Sequence, residues 1–209
     1  MRIALIHALR HSVAPIGAAF AELWPAAVLM NLLDDSLAAD LAAEGRLTPT
    51  MTERFLALSR YAAGTGAAGI LFTCSAFGPC IAACKAALAP LPVLTPNEAM
   101  LEDASAYGGA VGLLATFGPT LDTMPAEFAP GISVRTALAQ GALAALDAGD
   151  GAMHDRLAAD AAGALVGCDV IALAQFSLAR AAPAVAAATG RPVLTTPGSA
   201  VRKLRRLLG

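Results

Sequence analysis

The chain has 209 residues, a length that allows one ordinary domain or two small lobes. With 57% hydrophobic and only 14% charged residues it can fill a large core, which excludes intrinsic disorder. Against 16 Asp and Glu, the 14 Lys and Arg leave a formal charge of -2, and the one basic cluster is Arg202, Lys203, Arg205 and Arg206, so nucleic acid is not an expected partner.

The first apolar run, Ile3 to His7, is strand-sized. Met1-Arg2 leads straight into it, with neither an h-region nor a small-residue cleavage site, so no signal peptide is expected. A second run follows at Ala27 to Leu32, and Asp34-Asp35-Ser36 after it reads as a helix start. Met51 to Tyr61 has helical spacing. From Tyr61 to Cys84 there is no charge, which is long enough for a bilayer span in a chain of mean hydropathy +0.64. Gly64, Gly66, Gly69, Gly78 and Pro79 interrupt that stretch, and its dense apolar part, Gly69 to Phe72, is only strand-sized. The stretch therefore reads as a helix end, a strand buried on both faces, and the next helix, Pro79 to Leu88. A soluble, cytoplasmic protein with no membrane partner is expected.

Strand-sized runs recur at Pro92 to Leu94, Val111 to Ala115, Ile132 to Arg135, Val170 to Leu173 and Pro192 to Leu194. Between them Glu98 to Tyr107, Met153 to Leu165 and Leu178 to Thr189 have helical spacing. Arg202 to Leu208 closes the chain as a helix whose cations suit its C-terminal dipole. This alternation predicts an α/β fold with parallel sheets. A repeat supports two halves: Pro92-Val93-Leu94-Thr95 recurs as Pro192-Val193-Leu194-Thr195, 100 positions on (92 to 192), and the run Gly69 to Ser75 faces Asp169 to Gln175. Two similar lobes, residues 1–95 plus 199–209 and residues 96–198, would set their strand-to-helix turns across a cleft.

Three turns could carry chemistry. Thr73-Cys74-Ser75-Ala76-Phe77-Gly78-Pro79 leaves a buried strand and enters a helix, which puts Cys74 near a helix N-terminus. Backbone N–H groups there lower a thiol's pKa and hold a carboxylate. Ala115-Thr116-Phe117-Gly118-Pro119-Thr120 offers two hydroxyls beside backbone amides, either as an anion cradle or as a helix cap. Ala174-Gln175-Phe176-Ser177 could bond a substrate but holds no titratable group. His7, ending the first strand, is either a cleft acid or base or a satisfied structural histidine. Phe77, Phe117 and Phe176 lie at or near the turns, as core residues or as an apolar lining. Cys80 and Cys84 share a helix face, no CxxC occurs, and His7, His11 and His154 are scattered, so no metal is expected. There is no GxxxxGK[ST], and the one GxGxxG, Gly64 to Gly69, stands before an apolar strand instead of between a strand and the helix it opens, so a nucleotide cofactor has no support.

The strand-end cysteine of Gly69-Ile70-Leu71-Phe72-Thr73-Cys74-Ser75, the segment Val111-Gly112-Leu113-Leu114-Ala115-Thr116-Phe117 and the strand from Asp169 to Leu173 together resemble the aspartate/glutamate racemase superfamily, which also holds hydantoin racemases and arylmalonate decarboxylase. The resemblance covers nearly the whole chain. It implies two pseudo-symmetric Rossmann-like lobes with mainly parallel four-stranded sheets, no cofactor, and proton transfer at a carbon α to a carboxylate. In the racemases two cysteines face each other across the substrate; Cys74 matches the first, while the second falls where this chain reads Ala174-Gln175-Phe176. The expected activity is that of a racemase-like isomerase with Cys74, and His7 beside it, in acid/base roles. Ser75, Ala76, Thr116, Phe117, Thr120, Gln175, Phe176 and Ser177 would hold a small carboxylate. An arylmalonate-decarboxylase-like lyase with one cysteine is the alternative, a non-catalytic carboxylate-binding protein the third reading, and homo-oligomerisation stays open.

Overall fold

Apolar runs flanked by Gly, Pro and Ser become short strands, and the Ala/Leu-rich segments between them become helices that cover both sheet faces. The computed structural model describes all 209 residues. In the first half, β1 (Arg2–His7), α1 (Val13–Leu23), β2 (Val28–Leu33), α2 (Ser36–Glu44), α3 (Pro49–Gly64), β3 (Gly69–Phe72), α4 (Gly78–Ala87) and β4 (Val93–Leu94) follow in order. All four strands are parallel, in the order β2-β1-β3-β4. The central strands β1 and β3 are buried at every position from Ile3 to His7 and from Gly69 to Phe72, which is why both are apolar throughout rather than alternating. Helix α3 starts where Thr48 accepts a hydrogen bond from the Met51 N–H at 3.3 Å, with Pro49 in the first turn. Its Phe55 stacks on Phe72 (5.4 Å) and against Phe77 (4.8 Å), which fastens the helix to the sheet.

The second half repeats the plan. It comprises α5 (Glu98–Ala106), β5 (Val111–Ala115), α6 (Gly118–Thr123), β6 (Val134–Leu138), α7 (Ala142–Asp147), α8 (Gly151–Ala162), β7 (Val170–Leu173), α9 (Ala182–Thr189), β8 (Val193–Thr195) and α10 (Thr196–Leu208). The strand order β6-β5-β7-β8 is again parallel. The tetrapeptide repeat marks the fourth strand of each sheet: Ile70 N–H donates to Pro92 O, and Ile171 N–H to Pro192 O, each at 2.9 Å. The chain divides into two compact units, residues 1–99 with 200–209 and residues 100–199, so both divisions fall inside helices, α5 and α10.

Several boundaries differ from the sequence expectation, each for a local reason. Ile132 sits in a turn, its N–H bonded to Ala129 O, so β6 begins at Val134. The run Leu178 to Thr189 is divided into a 3-10 turn, Ser177–Ala181, and α9, because Pro183 has no N–H to continue a helix through it. Helix α10 begins at Thr196, six residues before Arg202, and buries Ala200, Val201 and Leu204. Tyr61 to Cys84 is the end of α3, then β3, then the start of α4, and no helix is long and apolar enough to cross a membrane.

Candidate active site

Both sheets end, at the carboxyl edge of their central strands, in polar turns. In the first lobe β3 runs into Thr73-Cys74, and a 3-10 turn at Ser75–Phe77 comes before α4. Cys74 is half-buried, packs against the lobe's core and accepts a hydrogen bond from the Ala76 N–H. The other three thiols, Cys80, Cys84 and Cys168, are fully buried. Here the structure corrects the sequence expectation of a lowered thiol pKa. The 3-10 turn separates Cys74 from the start of α4 at Gly78, so burial dominates and pushes the thiol up, with the Ala76 N–H opposing it. Ser75 and Ala76 are exposed beside it, whereas Phe77 is a core residue, 0% exposed.

His7, at the end of β1, is completely buried, and both ring nitrogens are engaged. Nδ1 lies 2.9 Å from Thr73 Oγ1 and 3.0 Å from Ser12 Oγ, and Nε2 lies 2.9 Å from Asn31 Oδ1. Burial lowers the imidazole pKa and the Asn31 bond recovers part of it, so His7 is neutral at physiological pH. In this arrangement the ring has no free nitrogen to offer a substrate. Sequence reasoning missed Asn31 and Ser12. The one signal for Asn31 was a lone amide in the otherwise apolar strand Val28–Leu33; Ser12 gave none.

In the second lobe the ends of β5 and β7 meet through side chains. Gln175 Oε1 accepts from the Thr116 N–H at 2.7 Å and from the Thr116 hydroxyl at 2.9 Å. Thr116 therefore does not cap α6, whose N-cap is Phe117 with no side-chain bond. With its oxygen committed, Gln175 can present only amide N–H donors. Phe117 is 51% exposed and Phe176 is 4% exposed. Thr120 donates its N–H to Phe117 O, and Ser177, half-buried, opens the following 3-10 turn. Thus the structure joins Thr116 to Gln175 in one lobe and His7 to Thr73, the neighbour of Cys74, in the other. No three His, Cys, Asp or Glu side chains converge as a metal site would need.

Strand registers refine the internal repeat. Ile6 pairs with Phe72 and Leu114 with Leu173, so Thr73 corresponds to Ala174 and Cys74 to Gln175, one position on from the alignment that matched Cys74 with Ala174. By the same register His7 corresponds to Ala115. The equivalent backbone bonds agree: Thr73 N–H donates to Ile6 O and Ala174 N–H to Leu114 O.

Two repeated parallel-sheet lobes with a thiol at one strand end define a class of α/β proteins whose chemistry is carried by strand-end turns. The family model of Asp/Glu/hydantoin racemases matches residues 16–204, and the chain belongs to that family. No curated protein matches the sequence significantly. Among solved structures, the chain is similar to allantoin racemase from Klebsiella pneumoniae, with a TM-score of 0.75 and 19% identity over 99% of this chain and 87% of that one. It is also similar to glutamate racemase from Bacillus anthracis (TM-score 0.71, 13% identity, 99% and 80% of the two chains). Unliganded arylmalonate decarboxylase matches with a TM-score of 0.69 and 20% identity over 100% and 92% of the two chains. At these identities the likeness speaks for the fold, which is the two-lobe fold of the racemases and of the decarboxylase.

Proposed function

We propose that the protein is a cofactor-independent enzyme of this family that moves a proton at a carbon α to a carboxylate, with Cys74 as the general acid/base. The carrying observation is that Cys74 is the one thiol that is not fully buried, and it stands at the carboxyl end of a central strand. Ser75, exposed on the same turn, is proposed to donate its hydroxyl and N–H to the carboxylate, with the exposed Ala76 beside it. Thr116, Phe117, Thr120, Gln175, Phe176 and Ser177 are proposed as the second lobe's carboxylate-binding turns; they carry no charge, so hydroxyls and amides do the binding.

The raised thiol pKa favours the decarboxylase-like reading over two-base racemisation. A thiol kept protonated is a proton donor, and Gln175, at the equivalent strand end of the other lobe, cannot act as a base. In that reading a malonate-type substrate loses CO2, the electron pair stays on the α-carbon as an enediolate, and Cys74 S–H delivers the proton. Water then returns a proton to the thiolate.

The test is a panel of α-substituted mono- and dicarboxylates incubated in D2O, read for deuterium at the α-carbon, optical rotation and CO2. Exchange with inversion marks a racemase, CO2 with one deuterium incorporated marks a lyase, and no turnover with measurable binding marks a carboxylate-binding protein. Cys74→Ala should lower turnover by about 10²-fold or more, the usual scale of a general acid. Normal activity in that variant refutes the assignment.

A further inference from the structure

We propose that His7 is a positioning residue for Cys74: its buried imidazole ties β1 and β2 to Thr73, fixes the strand end from which the thiol projects, and never touches substrate. The inference rests on Cys74 being the reacting group.

The bonds converge from four separate segments. Asn31 Oδ1 accepts from Nε2–H at 2.9 Å, which leaves Nδ1 as an acceptor for the Thr73 hydroxyl at 2.9 Å. Ser12 donates its hydroxyl to Leu9 O at 2.7 Å, and its oxygen stands 2.8 Å from Thr73 Oγ1 and 3.0 Å from Nδ1. With His7 at 0%, Ser12 at 5% and Thr73 at 6% exposure, each bond lies where water cannot replace it, and a missing partner is costly. Thr73 is the last residue of the chain held before the thiol. Its N–H completes the ladder to Ile6 O at 3.1 Å and its hydroxyl is held by His7, while Cys74 beyond it is extended and its chain turns away.

The second lobe supplies an internal control. Where Cys74 is replaced by Gln175, His7 is replaced by Ala115 and Thr73 by Ala174. Thiol and brace are present together in one lobe and absent together in the other. The second lobe joins its strand ends differently, with Gln175 Oε1 accepting from the Thr116 N–H and hydroxyl, so the shared sheet plan does not itself require a buried histidine at this place.

Thr73→Val removes the hydroxyl at nearly constant shape, Thr73→Ser restores it, and His7→Gln removes the ring. Two readouts are compared with the wild type: the rate of Cys74 alkylation by iodoacetamide, assigned by peptide mass, and kcat and KM for deuterium incorporation at the α-carbon from D2O, on the member of the carboxylate panel that turns over fastest. A freed strand end should expose the thiol, so in Thr73→Val alkylation speeds up while kcat falls about tenfold, equal to ~1.4 kcal/mol, and KM stays within about twofold. Thr73→Ser should restore both readouts. The proposal is overturned if Thr73→Val leaves alkylation and kcat unchanged, or if Thr73→Ser falls as far as Thr73→Val. It is also overturned if His7→Gln loses inversion but keeps same-face exchange, which would make His7 a base on substrate. Full activity in Cys74→Ala would refute the acid/base reading itself, a separate outcome.

Discussion

Two side chains in the strand-end turns show how much a single residue's surroundings decide. Cys74 has one N–H pointing at its sulfur, from Ala76, and the weight of burial against it, so its thiol is held above the ordinary cysteine range. Its alkylation rate should therefore keep rising with pH past the point where free cysteine levels off. A plateau at or below that of free cysteine would contradict the burial argument. Phe77 and Phe117 each stand directly before the Gly-Pro that starts a helix, yet Phe77 is 0% exposed against Phe55 whereas Phe117 is 51% exposed. Phe77→Ala should cost about 3–5 kcal/mol in urea unfolding, and Phe117→Ala within about 0.5 kcal/mol. If Phe117→Ala weakens carboxylate binding at unchanged stability, the ring lines the site.

At the scale of elements, close approach between a strand and its covering turn sets the tolerance. Gly112 lies in β5, buried on both faces, and a Cβ there would come within 2.8 Å of Ile171 Cδ1 and 3.0 Å of Leu165 Cβ. Leu165 belongs to the 3-10 turn Gly163–Leu165 that follows α8, so the side chain cannot swing aside without moving its backbone. Gly112→Ala should destabilise by about 1–3 kcal/mol through overpacking, or about 2–4 °C in Tm per kcal/mol. Unchanged Tm would mean that this packing is looser than the geometry indicates. At the other end of α8 the Arg180 guanidinium lies over Gly151 and holds Asp155 with bonds of 2.9 and 3.1 Å, joining the helix to the Ser177–Ala181 turn.

Across the whole molecule, the ion-paired carboxyls and the buried thiols shift in opposite directions, and together they define a stability window. Burial would raise Asp34, Glu98 and Asp155. The bonds from Ser36 and Arg54, from Lys203 and Lys85, and from Arg180 and His154 outweigh it, so all three carboxyls are lowered. Their contribution is present above the ordinary carboxylate range and is lost as pH falls through the folded pKa values. Cys74, Cys84 and Cys168 are raised, chiefly by burial. Their contribution is present below the ordinary thiol range and is lost as pH climbs through their folded values. The urea midpoint should therefore decline at both extremes, and salt should soften the acid limb because the ion pairs are partly exposed. A midpoint flat from neutrality down to about pH 3, far below the carboxylate reference values, would contradict the acid-side assignment.

The order of strand-sized apolar runs and helical segments determined the α/β class on its own, because a strand buried on both faces must be apolar at every position, as Ile70-Leu71-Phe72 and Val170 to Leu173 are. The tetrapeptide at Pro92 and Pro192 made the repeat legible, since the same edge strand in each half needs the same residues. The place of Cys74 at a strand end was legible too. What the sequence could not decide was anything set by residues distant along the chain. The correspondence of Cys74 with Gln175 depends on strand register, the raised thiol on the 3-10 turn and the surrounding core, and the state of His7 on Asn31 and Thr73, 24 and 66 positions away. Hydrogen bonds and burial are properties of neighbours in space, and only the folded chain brings those neighbours together.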